Sequence, residues 1–111
     1  MNVNEYAPIV QVVDVLIDVS DDDDLSTAAD LHGLTLVGIQ YPAAMTSSTA
    51  TFSVSVDGTN YFLLTGISST ITASNQDPLV PAEFAGARYV KIITNGNEAA
   101  DRTLGLVVRP V

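Results

Sequence analysis

The chain has 111 residues, 47% hydrophobic and 15% charged, which is ample material for the core of one domain and argues against global disorder. Thirteen Asp and Glu against four Lys and Arg give a net charge of −9, so the cations that nucleic-acid or anionic-membrane binding requires are lacking. There is no Cys and only one His, which removes disulfides, thiolate metal sites and any multi-histidine centre within one chain.

Met1–Glu5 lacks the basic start and apolar core of a secretory signal, and no apolar run reaches the length of a membrane span. The expectation is a protein made and folded in a cytosol. Residues 1–8 are mostly polar or small, with Tyr6 the only large side chain, and Pro8 disfavours a helix there. They read as an N-terminal arm, either a frayed terminus or a segment that orders against a partner. Residues 9–111 read as one domain. Ile9 to Val19 is rich in β-branched residues broken by Gln11, Asp14 and Asp18. The polar spacing would permit a helix, but the Val and Ile content favours a strand, bent or bulged. That segment is either an interior strand or a subunit seam.

Ser20 to Asp24 is an acidic loop, and Ser26 to Asp30 suits a helical turn or a short strand. Leu34 to Tyr41 is a strand stopped by Pro42, and Gly38 within it signals a bulge or a close backbone approach. Thr51 to Leu64 has the pattern of a hairpin. Alternation places Phe52, Val54 and Val56 on one face and Ser53, Ser55 and Asp57 on the other, and Asp57-Gly58 supplies the turn. A short strand is expected at Thr70 to Ala73, a loop at Asn75 to Pro81 and a helical turn at Glu83 to Gly86. Arg88 to Thr94 and Arg102 to Arg109 are further strands, separated by the turn residues Asn95-Gly96-Asn97. Seven or eight short strands without a long helix predict an all-β fold, a single antiparallel β-sandwich of jelly-roll type. Phe52, Tyr61 or Phe62, and Tyr89 are its expected aromatic core.

Several residues are chemical candidates. Asp21, Asp22, Asp23 and Asp24 are a possible calcium site, because Ca²⁺ takes hard oxygen ligands. Alternate members of the run could supply two carboxylates, with Asp30 or carbonyls adding more, but the spacing is not that of an EF-hand. The same loop also reads as a solvated acidic segment or as a contact for basic residues of a partner. His32 lies two residues from Asp30, but no Gly-x-Ser-x-Gly elbow accompanies it, so a catalytic role is not expected. Asp57 sits where turns favour Asp for structural reasons. Arg88 and Arg102 each open a strand. They suit either internal ion pairs, with Asp57 or Asp101 as partners, or an interface. Tyr6 and Ile9 are further interface candidates, since buried aromatics dominate binding hot spots.

Three pieces recur in a recognisable order: Leu34 to Tyr41 with Pro42-Ala43-Ala44-Met45, the hairpin from Phe52 to Gly58 with Tyr61, and Phe84 to Ile92 followed by Arg102 to Arg109. In this order they resemble the galactose-binding-like sandwich of discoidin and coagulation-factor type C domains. Adding Leu25 to Gly33 and Asn97 to Leu104, the chain from Leu25 to Arg109 is similar to a group of small tailed-phage structural proteins. The resemblance implies a virion component on the outer surface of the capsid, either a capsid decoration (cement) protein or a small fibre module. Its implied partners are the major capsid protein and copies of itself. A carbohydrate-binding module of a tail fibre or baseplate is the alternative. The chain departs from the discoidin pattern in lacking Cys and Trp, and its loops are poor in the aromatics on which sugars stack.

Overall fold

The computed structural model describes residues 10–110. The strands are β1 (Gln11–Ile17), β2 (Ala29–Asp30), β3 (Leu34–Gln40), β4 (Thr49–Ser55), β5 (Phe62–Thr70), β6 (Gln76–Pro78), β7 (Tyr89–Thr94) and β8 (Arg102–Pro110), with a 3-10 helix at Pro81–Phe84. They form two antiparallel four-stranded sheets, ordered β1-β8-β3-β6 and β2-β7-β4-β5. This is the double-sheet arrangement of an eight-stranded jelly roll. Among the described residues no helix is long and apolar enough to cross a membrane.

Period-two alternation builds the core. Val15 and Ile17 of β1, Leu104, Leu106 and Val108 of β8, and Leu36 and Ile39 of β3 face Ala50 and Phe52 of β4 and Val90 and Ile92 of β7. The odd spacing from Leu36 to Ile39 is explained by a register shift between Leu36 and Gly38, which restores the inward face after the bulge. The helix places Phe84 edge-on against Phe52, with ring centroids 5.1 Å apart.

The two flanks of the sandwich differ. β1 lies beside β2 at one flank. At the other, a buried chain of hydrogen bonds ties the sheets together: the Tyr41 hydroxyl donates to Ser69 Oγ at 2.6 Å, and Ser69 Oγ donates to Asp77 at 2.6 Å. Burial pushes the Tyr41 phenol up to about 12, against the Ser69 hydrogen bond, and the Asp77 charge adds to the rise.

The structure corrects several local expectations. The Asp57-Gly58 turn is not a two-residue reversal; β4 ends at Ser55 and six residues, 56–61, precede β5. Ser55 Oγ accepts the amides of Asp57 and Gly58 and is buried, whereas Val56 swings out to 75% exposure. The hydroxyl is held inside because it satisfies the turn, so the polar residue replaces the apolar one at that position. Phe62 is exposed rather than core, since β5 is an edge strand and Phe62 pairs with Val54 near the open end of the sheet. Tyr61 and Tyr89 are half-buried on the outer face. No strand forms over 71–73, where the chain leaves β5 after Thr70 and turns, and the expected loop at Asn75 to Pro81 contains β6, which pairs with Gly38–Gln40. Pro78 is tolerated because β6 is also an edge.

Candidate functional site

Tyr6 and Ile9, and the expected arm as a whole, lie outside the described residues. The other candidates fall into three groups.

The first group consists of ion pairs that close the fold. Arg88 Nε lies 3.2 Å from Asp30 Oδ1, and its guanidinium also contacts His32 Nδ1 at 3.3 Å and covers the Tyr89 ring at 5.2 Å. The pair ties β2 to β7 and is half-exposed. The Arg88 hydrogen bond is the main reason that the Asp30 carboxyl is held low. Arg102 binds Glu98, with Nε 2.9 Å from Oε1, and the Glu98 side chain is fully buried. Glu98 also accepts the backbone amides of Thr46 and Ser47, both at 2.8 Å, and the Ser47 hydroxyl. Burial pushes this carboxyl up, but the Ser47 hydroxyl, the two amides and Arg102 together outweigh it and hold it low. Thus the expected partners Asp57 and Asp101 are replaced by Asp30 and Glu98. Asp57 instead caps its own turn, accepting the amides of Thr59 and Asn60, and Asp101 accepts the Val19 amide. Glu98 escaped sequence reasoning, although its spacing of four residues from Arg102 was the available signal.

The second group is the acidic loop. The carboxylates of Asp22, Asp23 and Asp24 lie within 4.8 Å of one another, and Asp21 is outside the group. The Asp22 side-chain hydrogen bond, followed by burial and the charges of Asp22 and Asp23, raises the Asp24 carboxyl. The loop backbone is fixed by the Thr94 amide donating to Asp24 O and the Glu98 amide donating to Asp23 O. Beside the loop runs an open groove of about 450 Å³ lined by Leu16, Asp18, Asp21, Asp22, Tyr61 and Lys91, among others. Lys91 Nζ sits 4.4 Å from the Tyr61 ring centroid.

The third group is apolar and exposed. Val10, Val12, Leu16 and Val19 mark the β1 flank, and Val56, Phe62 and Leu63 cluster around the start of β5. Alternation along β1 turns Val12 and Leu16 to the solvent side, and both groups are exposed apolar surface.

Each serine described as bonding a carboxylate has a structural role. Ser47 bonds Glu98, whose carboxylate is already held by Arg102 and two backbone amides. Ser69 meets Asp77 but is 1% exposed, beyond the reach of a substrate. Ser20 and Ser55 bond aspartates within their own turns, and His32 contacts Arg88 rather than a hydroxyl. The chain matches no family model, no curated protein and no solved structure.

Proposed function

We propose that this chain is a non-enzymatic structural protein of a tailed-phage virion, a capsid decoration protein that binds the outer surface of the assembled head. The observation carrying this reading is the placement of exposed apolar side chains on both flanks of a sandwich whose buried polar side chains, among the described residues, are all hydrogen-bonded. Jelly rolls are a recurrent architecture of viral shells, which supports the reading by analogy of fold alone. The mechanism is adhesion. Apolar flanks supply weak contacts to the major capsid protein, many copies on a symmetric lattice multiply them, and charge sets the register. The excess acid keeps the decorated particle negative and discourages particles from sticking together. The test is imaging of native particles together with heat and pressure challenge of particles lacking the protein. Density on the shell and early rupture of undecorated heads are expected; undecorated heads as resistant as complete ones refute the reading.

One observation favours a second reading. Tyr61 lines the groove beside the acidic loop, with Lys91 and the aspartates as hydrogen-bonding groups. A carbohydrate-binding module of a tail fibre or baseplate would use such a shallow, partly aromatic groove. Glycan-array binding that Tyr61→Ala abolishes would establish it in place of the first.

A further inference from the structure

The outer face of the β1-β8-β3-β6 sheet has small residues at its centre. Val12, Asp14 and Leu16 of β1 point outward, opposite Val107, Gly105 and Thr103 of β8. The centre carries two glycines. A Cβ on Gly105 would lie 2.7 Å from Val12 Cγ1 and 2.9 Å from Gln40 Oε1, and one on Gly38 would lie 3.5 Å from Val107 Cβ. Val12 and Gln40 therefore lean over Gly105, and Val107 is nearly covered although it faces outward. The exposed apolar side chains of this face are therefore Val10, Val12 and Leu16, along its β1 side.

Two charges stand on this face, Asp14 and Arg109, both exposed. Among the described residues neither has an ion-pair or side-chain hydrogen-bond partner. The other three bases are engaged: Arg88 with Asp30, Arg102 with Glu98, Lys91 over Tyr61. The register puts Val12 beside Val107 and Asp14 beside Gly105, so Arg109 lies two residues from the Val12–Val107 pair on the side opposite to Asp14. A two-fold axis crossing the strands at Val12–Val107 would carry Arg109 of a second copy to the level of Gly105, next to Asp14, and do the same in reverse. The face is self-complementary in charge, as an isologous contact requires.

We infer that this face is a contact between two copies of the chain, stacked sheet on sheet, with Val12 meeting Val12 and two Asp14–Arg109 pairs at the ends. The inference deepens the proposed structural role by naming the surface that neighbouring copies share, yet it concerns the purified protein and stands apart from capsid binding. Three strands about 4.8 Å apart and seven residues long cover roughly 340 Å² per copy. That is well below the ~800 Å² per partner of a standard stable complex, so the contact is weak in free solution and gains from a lattice.

Because the chain has no cysteine, single-cysteine variants report proximity cleanly. Oxidation of full-length Val12→Cys at high protein concentration is expected to give disulfide dimer at least about ten times faster than Thr65→Cys on exposed β5. Asp14→Arg or Arg109→Asp in the Val12→Cys background should each remove most of that advantage, and the two together should restore it. Thermal melts confirm that these surface variants fold. Equal rates for Val12→Cys and Thr65→Cys, or a double charge swap that fails to restore coupling, would overturn the inference. So would dimerisation that appears only after deletion of residues 1–9, since the face would then be occupied by the arm rather than by a second copy. Capsid binding measured in parallel separates the two readings: its loss with cross-linking intact strikes the decoration role and leaves this contact standing.

Discussion

Removing the Glu98 carboxylate probes the densest polar site in the molecule. Glu98→Ala leaves Arg102, whose side chain is only 14% exposed, without its partner, and strips acceptors from the Thr46 and Ser47 amides. Breaking a buried ion pair by deleting one partner costs about 3–5 kcal/mol. For a domain of this size that lowers the melting temperature by on the order of 10–20 °C. Arg102→Met removes the other partner but leaves the carboxylate its amides and the Ser47 hydroxyl, so its loss is smaller, about 1–3 kcal/mol. The pH dependence has a definite sign. Glu98 is held below its ordinary value of 4.5, so its contribution is fully present above that value and is lost as pH falls through the lower folded value. The gap in stability between the native chain and Glu98→Gln therefore narrows as pH drops from 7 toward 3. Chemical denaturation at several pH values measures it. A Glu98→Ala loss under about 1 kcal/mol, or a gap constant with pH, would refute the assignment of Glu98 as a charged anchor.

Other predictions follow from single contacts. Tyr41, raised to about 12 by burial, should give a phenol that ionises near 12 in an ultraviolet titration and is missing from Tyr41→Phe. The fold should lose stability as pH rises from the ordinary phenol value of 10.0 through 12, and Tyr41→Phe should flatten that loss. Gly58 and Gly66 share a left-handed backbone, φ +81° and +82°, but only Gly58 has a ring, that of Tyr89, 3.2 Å from a built Cβ. Gly66→Ala should cost about 1–2 kcal/mol and Gly58→Ala clearly more; equal losses in denaturant melts would show that Tyr89 moves aside freely. Asp24 is raised, so its ionisation opposes folding above its ordinary value of 3.8. Asp24→Asn should raise the melting temperature at neutral pH and lose that gain in acid. A fall at pH 7 would show that the loop needs the charge, and calcium titration of the native chain would then be the direct measurement.

Alternation along 88–94 and 102–109 was enough to call for strands, and the strict period of Leu104, Leu106 and Val108 assigned their inward face, because side-chain direction in a strand is a local property. The segment at 9–19 illustrates the limit of that rule. Its two faces are both apolar, and only the pairing of β1 with β8 alone made it an edge strand with Val13, Val15 and Ile17 inside and Val12 and Leu16 outside. Likewise, no local pattern marks Gln76–Pro78 as a strand; three residues pair there because β3 offers an open edge. Ser55 is buried and Val56 exposed because the turn consumes a hydroxyl. Glu98 is interior because Thr46 and Ser47, some fifty residues earlier in the chain, supply the donors that make a buried carboxylate tolerable. Which residues share a face is decided by geometry over two or three bonds of backbone, whereas which faces meet, which edges stay open and which charges find partners depend on neighbours brought together only by folding.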